Sequence, residues 1–413
     1  MIEVAEVLAQ LVEGVRFTAY DGSQAGPADA PVALHVRSRK ALAHLVGAPG
    51  ELGFARAYVS GELDLEAPDH ATALLALRRR KDADLTARER LHIAAELGRE
   101  ALVPVSPLPE EVGARRLLAG LVAHTRGRDA VAIRHHYDVS NRFYAWVLGP
   151  SMAYTCAVYP HEQAGLDEAQ AEKFDLVCRK LDLQPGMRLL DVGCGWGGMV
   201  RHAAQHHGVQ ALGVTLSRSQ AEWAQKAVAD DGLSSLVEVR HADYRDVAEG
   251  GFDAISSIGL TEHLGVAQLP RYARHLADRL RPGGRVLNHC ITRRSVDVPP
   301  IAKRGFIARF VFPDGELPAM SEVARELERA GLEVRHEENL REHYQRTCAA
   351  WAANLEAHWD EAVAEVGLGR ARVWALYLSG SSLGFERGEV QLHQVLAVKP
   401  DGGRSGMPLR PVF

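Results

Sequence analysis

Cysteine is scarce in this chain: five residues in 413, at positions 156, 178, 194, 290 and 348. They are odd in number and widely spread, with no Cys-x-x-Cys pair, which argues against a disulfide framework or a structural zinc site and for a reducing cytoplasm. No metal centre is expected. No run of about 18 apolar residues occurs, and the N-terminus lacks a basic start followed by an apolar core. The expectation is a chain neither secreted nor membrane-spanning, so any membrane contact would be peripheral. An excess of charge is missing too. The formal net charge is −5, which gives no global argument for nucleic acid. The rest is ordinary for a globular protein, with 46% hydrophobic and 24% charged residues. The length exceeds what one compact domain usually needs, so two domains are expected.

The most informative stretch is Gly186-Met-Arg-Leu-Leu-Asp-Val-Gly-Cys-Gly-Trp-Gly-Gly198. Met187 to Val192 is a short apolar run of the kind buried on both faces of a parallel sheet. Gly193, Gly195, Gly197 and Gly198 follow, and residues 199 to 207 read as a helix whose first turn points free N–H groups at that loop. A ligand can approach a glycine main chain closely. Gly193, Gly195 and Gly198 formally satisfy the dinucleotide pattern G-x-G-x-x-G, which calls for an acid about 20 residues on, at the end of the next strand. That strand, residues 209 to 217, ends in Thr215 and Ser217. The acid precedes the glycines instead, at Asp191. Asp-x-Gly-x-Gly is the pattern of S-adenosylmethionine enzymes, so that donor is favoured over a nicotinamide.

Residues 1–125 read as a smaller N-terminal α+β domain for lipid binding or dimer contact. They hold a helical period over 2–15, a strand at 32–36, a return strand near 61–65 and turn signals at Asp21-Gly22 and Ala48-Pro-Gly50. The basic run Arg78-Arg-Arg-Lys81 is either a solvated helix end or a patch attracted to anionic lipid, worth roughly 1 kcal/mol per cation. Residues 126–134 form the expected linker, and 135–413 the catalytic domain. Strands and helices alternate from residue 187 to 291, the signature of a doubly wound, Rossmann-like α/β sheet. Ligands of such sheets bind at the carboxyl ends of the strands. That rule puts Gly193 to Gly198, Thr215, Asp243, Glu262 and His289 along one rim. A helix over 347–365, with Trp351, Leu355 and Trp359, either packs the core or covers a channel; core is favoured.

Several linked stretches resemble the cyclopropane-fatty-acyl-phospholipid synthases and their mycolic-acid-modifying relatives. They are His136-Tyr-Asp-Val-Ser-Asn-Arg-Phe-Tyr144, Met152-Ala-Tyr-Thr-Cys-Ala157, Leu190-Asp-Val-Gly-Cys-Gly-Trp-Gly197, Gly213-Val-Thr-Leu-Ser-Arg-Ser-Gln220 and Ser257-Ile-Gly-Leu-Thr-Glu-His-Leu-Gly265, followed by His289-Cys-Ile291, Phe312-Pro-Asp-Gly-Glu-Leu-Pro318 and Glu342-His-Tyr-Gln-Arg-Thr347. The match runs from about residue 130 to 398, and the N-terminal region is similar to the extra domain of the phospholipid enzymes. The resemblance implies an S-adenosylmethionine-dependent methyltransferase acting on the cis double bond of an unsaturated membrane phospholipid. It puts the donor's amino-acid end near Tyr154, Thr155 and the Gly193–Gly195 turn, its ribose near Thr215, Leu216 and Gln220, and its adenine near Asp243 and Tyr244, with Tyr137 and Asp191 also expected to bind the donor. It also implies a bicarbonate ion held by Cys156, Glu262, His289, the Ile291 backbone and Tyr344. The chemistry needs such a group: alkylating an unactivated double bond leaves a carbocation, which must lose a proton to a base while water is kept out. Cys156 is expected to line the anion or cation, not to act as a nucleophile.

One departure concerns the product. Thr261 stands where many relatives carry an aromatic side chain able to face a cation with its ring, and Cys290 is a smaller variation. A changed cavity would let the cation rearrange to an exomethylene chain, the precursor of a 10-methyl branch, finished by a separate reductase. Ring and branch both remain open at this point. A homodimer in the cytoplasm, peripherally attached to the inner face of the membrane, is the further expectation carried by the resemblance.

Overall fold

The computed structural model describes residues 3–48, 50–78, 95–111, 140–299, 305–313 and 315–413. The linker 126–134, Tyr137 and Arg79 to Lys81 lie outside the described residues. Two compact units are present: one within Met1–Leu118, Lys303–Pro313 and His358–Leu383, the other within Ala119–Ala302, Asp314–Ala357 and Gly384–Phe413.

In the first unit, strands β1 (Arg16–Ala19), β2 (Gln24–Ala25), β3 (Ala33–Val36) and β4 (Leu63–Glu66) form a sheet in the order β2-β1-β3-β4. Helices α1 (Val4–Ala9), α2 (Arg39–Gly47), α3 (Glu51–Val59) and α4 (His70–Leu77) accompany it, a small α+β arrangement. Ser38 caps α2 by accepting from Lys40 N, and Asp69 caps α4 by accepting from Thr72 N at 2.7 Å. Residues 2–15, expected as one helix, give only α1 before the chain turns into β1, and the segment around Gly53 is helical throughout. Phe306, Phe310, Val373 and Leu376 join the core of this unit. Two segments from inside the expected catalytic stretch 135–413 therefore belong here, and no single cut near residue 125 divides the chain. Local patterning marks such helices as apolar-faced but does not say which core they enter.

The second unit holds seven strands: β5 (Arg188–Val192), β6 (Gln210–Thr215), β7 (Val237–His241), β8 (Phe252–Ile258), β9 (Leu280–Arg293), β10 (Glu333–Asn339) and β11 (Val390–Val398), ordered β10-β11-β9-β8-β5-β6-β7. Strands β9, β8, β5, β6 and β7 run parallel, while β11 is antiparallel to β9 and to β10. The doubly wound α/β expectation is met, with an antiparallel edge added. Its helices include α5 (Asn141–Leu148), α6 (Leu166–Leu181), α7 (Gly198–His207), α8 (Arg218–Asp230), α9 (Leu269–Arg279), α10 (Met320–Arg329) and α11 (Arg341–Ala357). Leu189 and Leu190 of β5 are fully buried on opposite faces, each contributing roughly 1.5–3 kcal/mol of burial. Residues 281–284 form an irregularity inside β9: pairing with β8 jumps from Phe252↔Leu280 to Ala254↔Arg285.

The expected helix over 347–365 breaks at His358 into α11 and a helix at Trp359–Val366. Trp351 and Leu355 are each 1% exposed, so this part of α11 is core. Among the described residues no helix is long and apolar enough to cross a membrane.

Candidate functional site

Strand order reverses between β5 and β8, and at such a switch point an open parallel sheet leaves a crevice beyond its strand tips. The glycine loop leaves β5 there. Gly193 N and Cys194 N both donate to Val214 O at 2.9 Å, tying the loop to β6. Gly195 has φ +54 with open space where a side chain would stand, so the backbone faces the crevice directly. A Cβ on Gly198 would lie 2.7 Å from the Phe174 ring, which explains the glycine at the start of α7.

An open cavity occupies the crevice, at the place where ligands of such sheets bind. Its lining includes Tyr154, Thr155, Asp191, Gly193, Gly195, Thr215, Leu216, Gln220 and Tyr244, nine of the eleven residues expected to hold a donor. Tyr137 falls outside the described residues. Asp243 is not in the lining; its carboxylate pairs with Arg245, whose Nε donates at 2.8 Å. Thr215 Oγ1 donates to Gln220 Oε1 at 2.8 Å, which holds the β6 tip to α8.

Lys173, Leu260 and His263 also line the cavity and were not singled out from the sequence. Lys173 is fully buried and donates to Thr155 Oγ1 at 2.8 Å. One turn earlier on α6, Gln170 donates to Thr155 O at 2.9 Å, so one helix face holds the Tyr154–Thr155 segment. Burial lowers the Lys173 ammonium to about 7, with Asp191 opposing that shift. Burial raises Asp191 to about 6, while the hydrogen bond from Ser256 and the nearby lysine pull it down. Phe143 and Tyr144 are fully buried, and Tyr144 packs on Trp196 with ring centroids 4.8 Å apart.

Next to the cavity, the short helix Thr261–Leu264 begins just past β8. Glu262 Oε1 accepts from Ile291 N at 2.7 Å, which fixes the carboxylate two residues along β9 from His289. Gly259 N donates to His289 O at 2.8 Å. The start of α11 reaches the same rim: Leu340 N donates to Leu392 O at 2.8 Å, and Leu392 pairs with Ile291. The Leu340 carbonyl in turn accepts from Tyr344 N at 3.0 Å and from Cys156 Sγ at 3.8 Å. Cys156, Glu262, His289, Ile291 and Tyr344 are thus tied to one end of the sheet by two linked sets of hydrogen bonds.

Two side-chain atoms of that group, Glu262 Oε2 and His289 Nε2, are buried with no hydrogen-bond partner. Such atoms cost free energy unless something fills the gap. Burial raises the Glu262 carboxyl to about 7, against the Ile291 N–H that favours its anion. Burial, aided by Lys173 and Lys180, holds His289 well below its usual value and so neutral. Burial also pushes the Cys156 thiol far up, so it is no thiolate nucleophile. A small oxyanion carrying both a hydroxyl and free oxygens fits this donor–acceptor pair.

Thr261 and Cys290 are both engaged with Asn288. Thr261 Oγ1 donates to Asn288 Oδ1 at 2.8 Å, and Asn288 Nδ2 contacts Cys290 Sγ at 3.3 Å. Both Asn288 and Cys290 alternate with His289, so they point to the other face of β9. Cys290 still lies within electrostatic reach of Glu262.

Away from the rim, Cys178, His202 and His207 bring one ligand atom each within 4.8 Å of one another. His207 Nε2 already meets Asp175 Oδ1 at 3.1 Å, and Asp175 is paired with the Arg179 guanidinium. A cation would have to enter beside that fixed positive group.

A family model described as mycolic acid cyclopropane synthetase matches residues 124–395. A probable fatty acid methyltransferase of Mycobacterium tuberculosis, Rv3720, is 52% identical over 418 residues, spanning 100% of this chain and 97% of its own. Among solved structures, the cyclopropane synthase MmaA2 from Mycobacterium tuberculosis is 33% identical with TM-score 0.62, covering 66% of this chain and 98% of its own. The mycolic acid cyclopropane synthase CmaA1, complexed with SAH and CTAB, is 32% identical with TM-score 0.61, covering 65% of this chain and 97% of its own.

Proposed function

The chain belongs to the mycolic acid cyclopropane synthetase family, and from that premise we propose that it transfers a one-carbon unit to the cis double bond of an unsaturated phospholipid acyl chain. It is an S-adenosylmethionine-dependent methyltransferase. The observation that carries the finer proposal is the buried, unpartnered pair Glu262 Oε2 and His289 Nε2 beside the crevice. Bound at these places, S-adenosylmethionine would supply the electrophilic methyl, and bicarbonate would supply the base that receives the proton lost from the alkylated chain.

The chain's own residues do the rest. Lys173 offers a buried cation to the donor's carboxylate. Gly193 and Gly195 leave the main chain open to it, and Thr215 and Gln220 present polar groups to a ribose. Tyr244 offers a ring face to the adenine. His289 donates from Nε2 to the anion, while Glu262 holds a proton or accepts one according to the state of its neighbour. The fully buried Tyr144 and the nearly buried Trp196 and Trp351 exclude water that would quench a cation. Peripheral contact with anionic lipid through Arg78, Arg79, Arg80 and Lys81 belongs to the same proposal. A homodimer and, for a methylene product, a separate reductase remain expectations of the resemblance.

Incubation with S-adenosylmethionine and dioleoyl phospholipid vesicles, followed by mass and NMR analysis of the fatty esters, tests the substrate. The expected result is a gain of one carbon with cyclopropane ring protons. Terminal methylene protons would show the branched-chain outcome of the same alkylation. Unchanged esters together with turnover of a soluble acceptor would contradict the lipid assignment.

A further inference from the structure

Behind His289 runs a row of polar side chains that no step of the proposed reaction uses. Glu338 on β10 pairs with Gln394 on β11, and Gln394 pairs with His289 on β9, so the three stand side by side across the sheet. Lys180 of α6 meets the same row. Its Nζ donates to Gln394 Oε1 at 2.7 Å and is also paired with Glu338. Gln394 Nε2 lies 3.2 Å from His289 Nδ1. Gln394 is fully buried, and Lys180 and His289 are each 1% exposed.

The direction of these hydrogen bonds is forced. An ammonium only donates, so the oxygen of the Gln394 amide must face Lys180. Its nitrogen must then face His289, and an amide nitrogen also only donates. Nδ1 of His289 is therefore the acceptor, and a neutral ring accepting at Nδ1 carries its proton at Nε2. Turning the amide over would set an N–H against the ammonium and leave a buried donor unpaired.

We propose that Gln394, anchored by Lys180, is a positioning residue that fixes His289 as the Nε2–H tautomer and so makes the ring a hydrogen-bond donor toward the sheet rim. This rests on the rim role assigned to His289 above only for its consequence in turnover; the tautomer itself follows from the row of side chains. A donor at that place selects an acceptor ligand, which is what an oxyanion offers and a second N–H group does not. Lys180, Gln394 and Glu338 touch neither donor nor lipid in this account and act through the imidazole.

Ring-¹⁵N-labelled histidine in the full-length protein reads the tautomer directly, with His289→Asn identifying the signal among 19 histidines. The unliganded wild type is expected to show a protonated Nε2 and an unprotonated Nδ1. Gln394→Glu sets a carboxylate opposite Nδ1 and is expected to move the proton onto Nδ1. S-adenosylmethionine affinity should stay within about twofold while turnover falls about 10–100-fold, by analogy with the loss of partners behind metal-bound histidines. Should that variant not fold, Lys180→Met serves instead. It frees the amide to turn and should give a mixture of both tautomers. A wild-type ring protonated at Nδ1, or a Gln394→Glu ring still unprotonated there, overturns the proposal. A tautomer that switches without any loss of turnover leaves the positioning intact and removes His289 from the reaction.

Discussion

Glu262→Gln is expected to cut turnover by about 100-fold to 10,000-fold, the span associated with removing a group that handles protons in a transition state. S-adenosylmethionine affinity should change by less than about twofold, because Glu262 is not part of the cavity lining. The glutamine can still accept from Ile291 N, so the local backbone is kept. Its NH₂ group then stands where Oε2 stood, offering a donor in place of an acceptor. Calorimetric titration with the donor, beside a turnover assay, separates the two effects. Near-normal turnover would remove Glu262 from the chemistry.

The same substitution carries a stability signature. Burial raises the folded-state carboxyl from 4.5 to about 7. Between those values the folded protein holds a proton that the unfolded chain has released. Stability from this group is therefore complete below about 4.5 and is lost as pH rises to about 7. The shift corresponds to about 3 kcal/mol as an upper bound. Glutamine does not ionise, so the unliganded variant should unfold at higher urea than the wild type at pH 8 and at similar urea at pH 4.5. An active-site group that weakens the fold is a known pattern, since functional strain is retained against stability.

Trp351→Ala is expected to lower unfolding free energy by about 3–5 kcal/mol, the usual effect of emptying a buried indole site. Trp351 is 1% exposed, with ring centroids 5.2 Å from Tyr154 and 5.9 Å from Tyr344. Three residues on, Asn354 Nδ2 donates to Val147 O at 2.9 Å, which ties α11 to α5. The substitution should weaken donor binding as well, because Tyr154 lines the cavity and leans on the indole. Urea unfolding followed by circular dichroism measures the first effect. A loss below about 1 kcal/mol would mean that this helix covers the site without supporting it.

What was legible in the sequence follows from how local each signal is. The strand before the glycine loop was visible, within one residue of its bounds Arg188–Val192, because it is a short apolar run that ends at glycines. The glycine loop was visible because positive φ and close approach demand glycine at adjacent positions. Lys173, Lys180 and Gln394 were not, since such side chains mark solvent far more often than interior. Their burial depends on partners distant in the chain: Lys180 and Gln394 are 214 residues apart. The break of the 347–365 helix at His358 was equally hidden. Its two halves join different units, a distinction that periodicity within one helix does not carry. The partner of Thr261 was likewise hidden: its hydroxyl donates to Asn288, 27 residues on in the chain.

The proposed chemistry depends on a small oxyanion bound by the Glu262 carboxyl and the His289 imidazole. Turnover on unsaturated vesicles, measured in carbonate-depleted buffer and again after bicarbonate is restored, tests it most directly. The expected result is a rate that falls on depletion and returns with added bicarbonate in the wild type but not in Glu262→Gln. A wild-type rate indifferent to bicarbonate would contradict it.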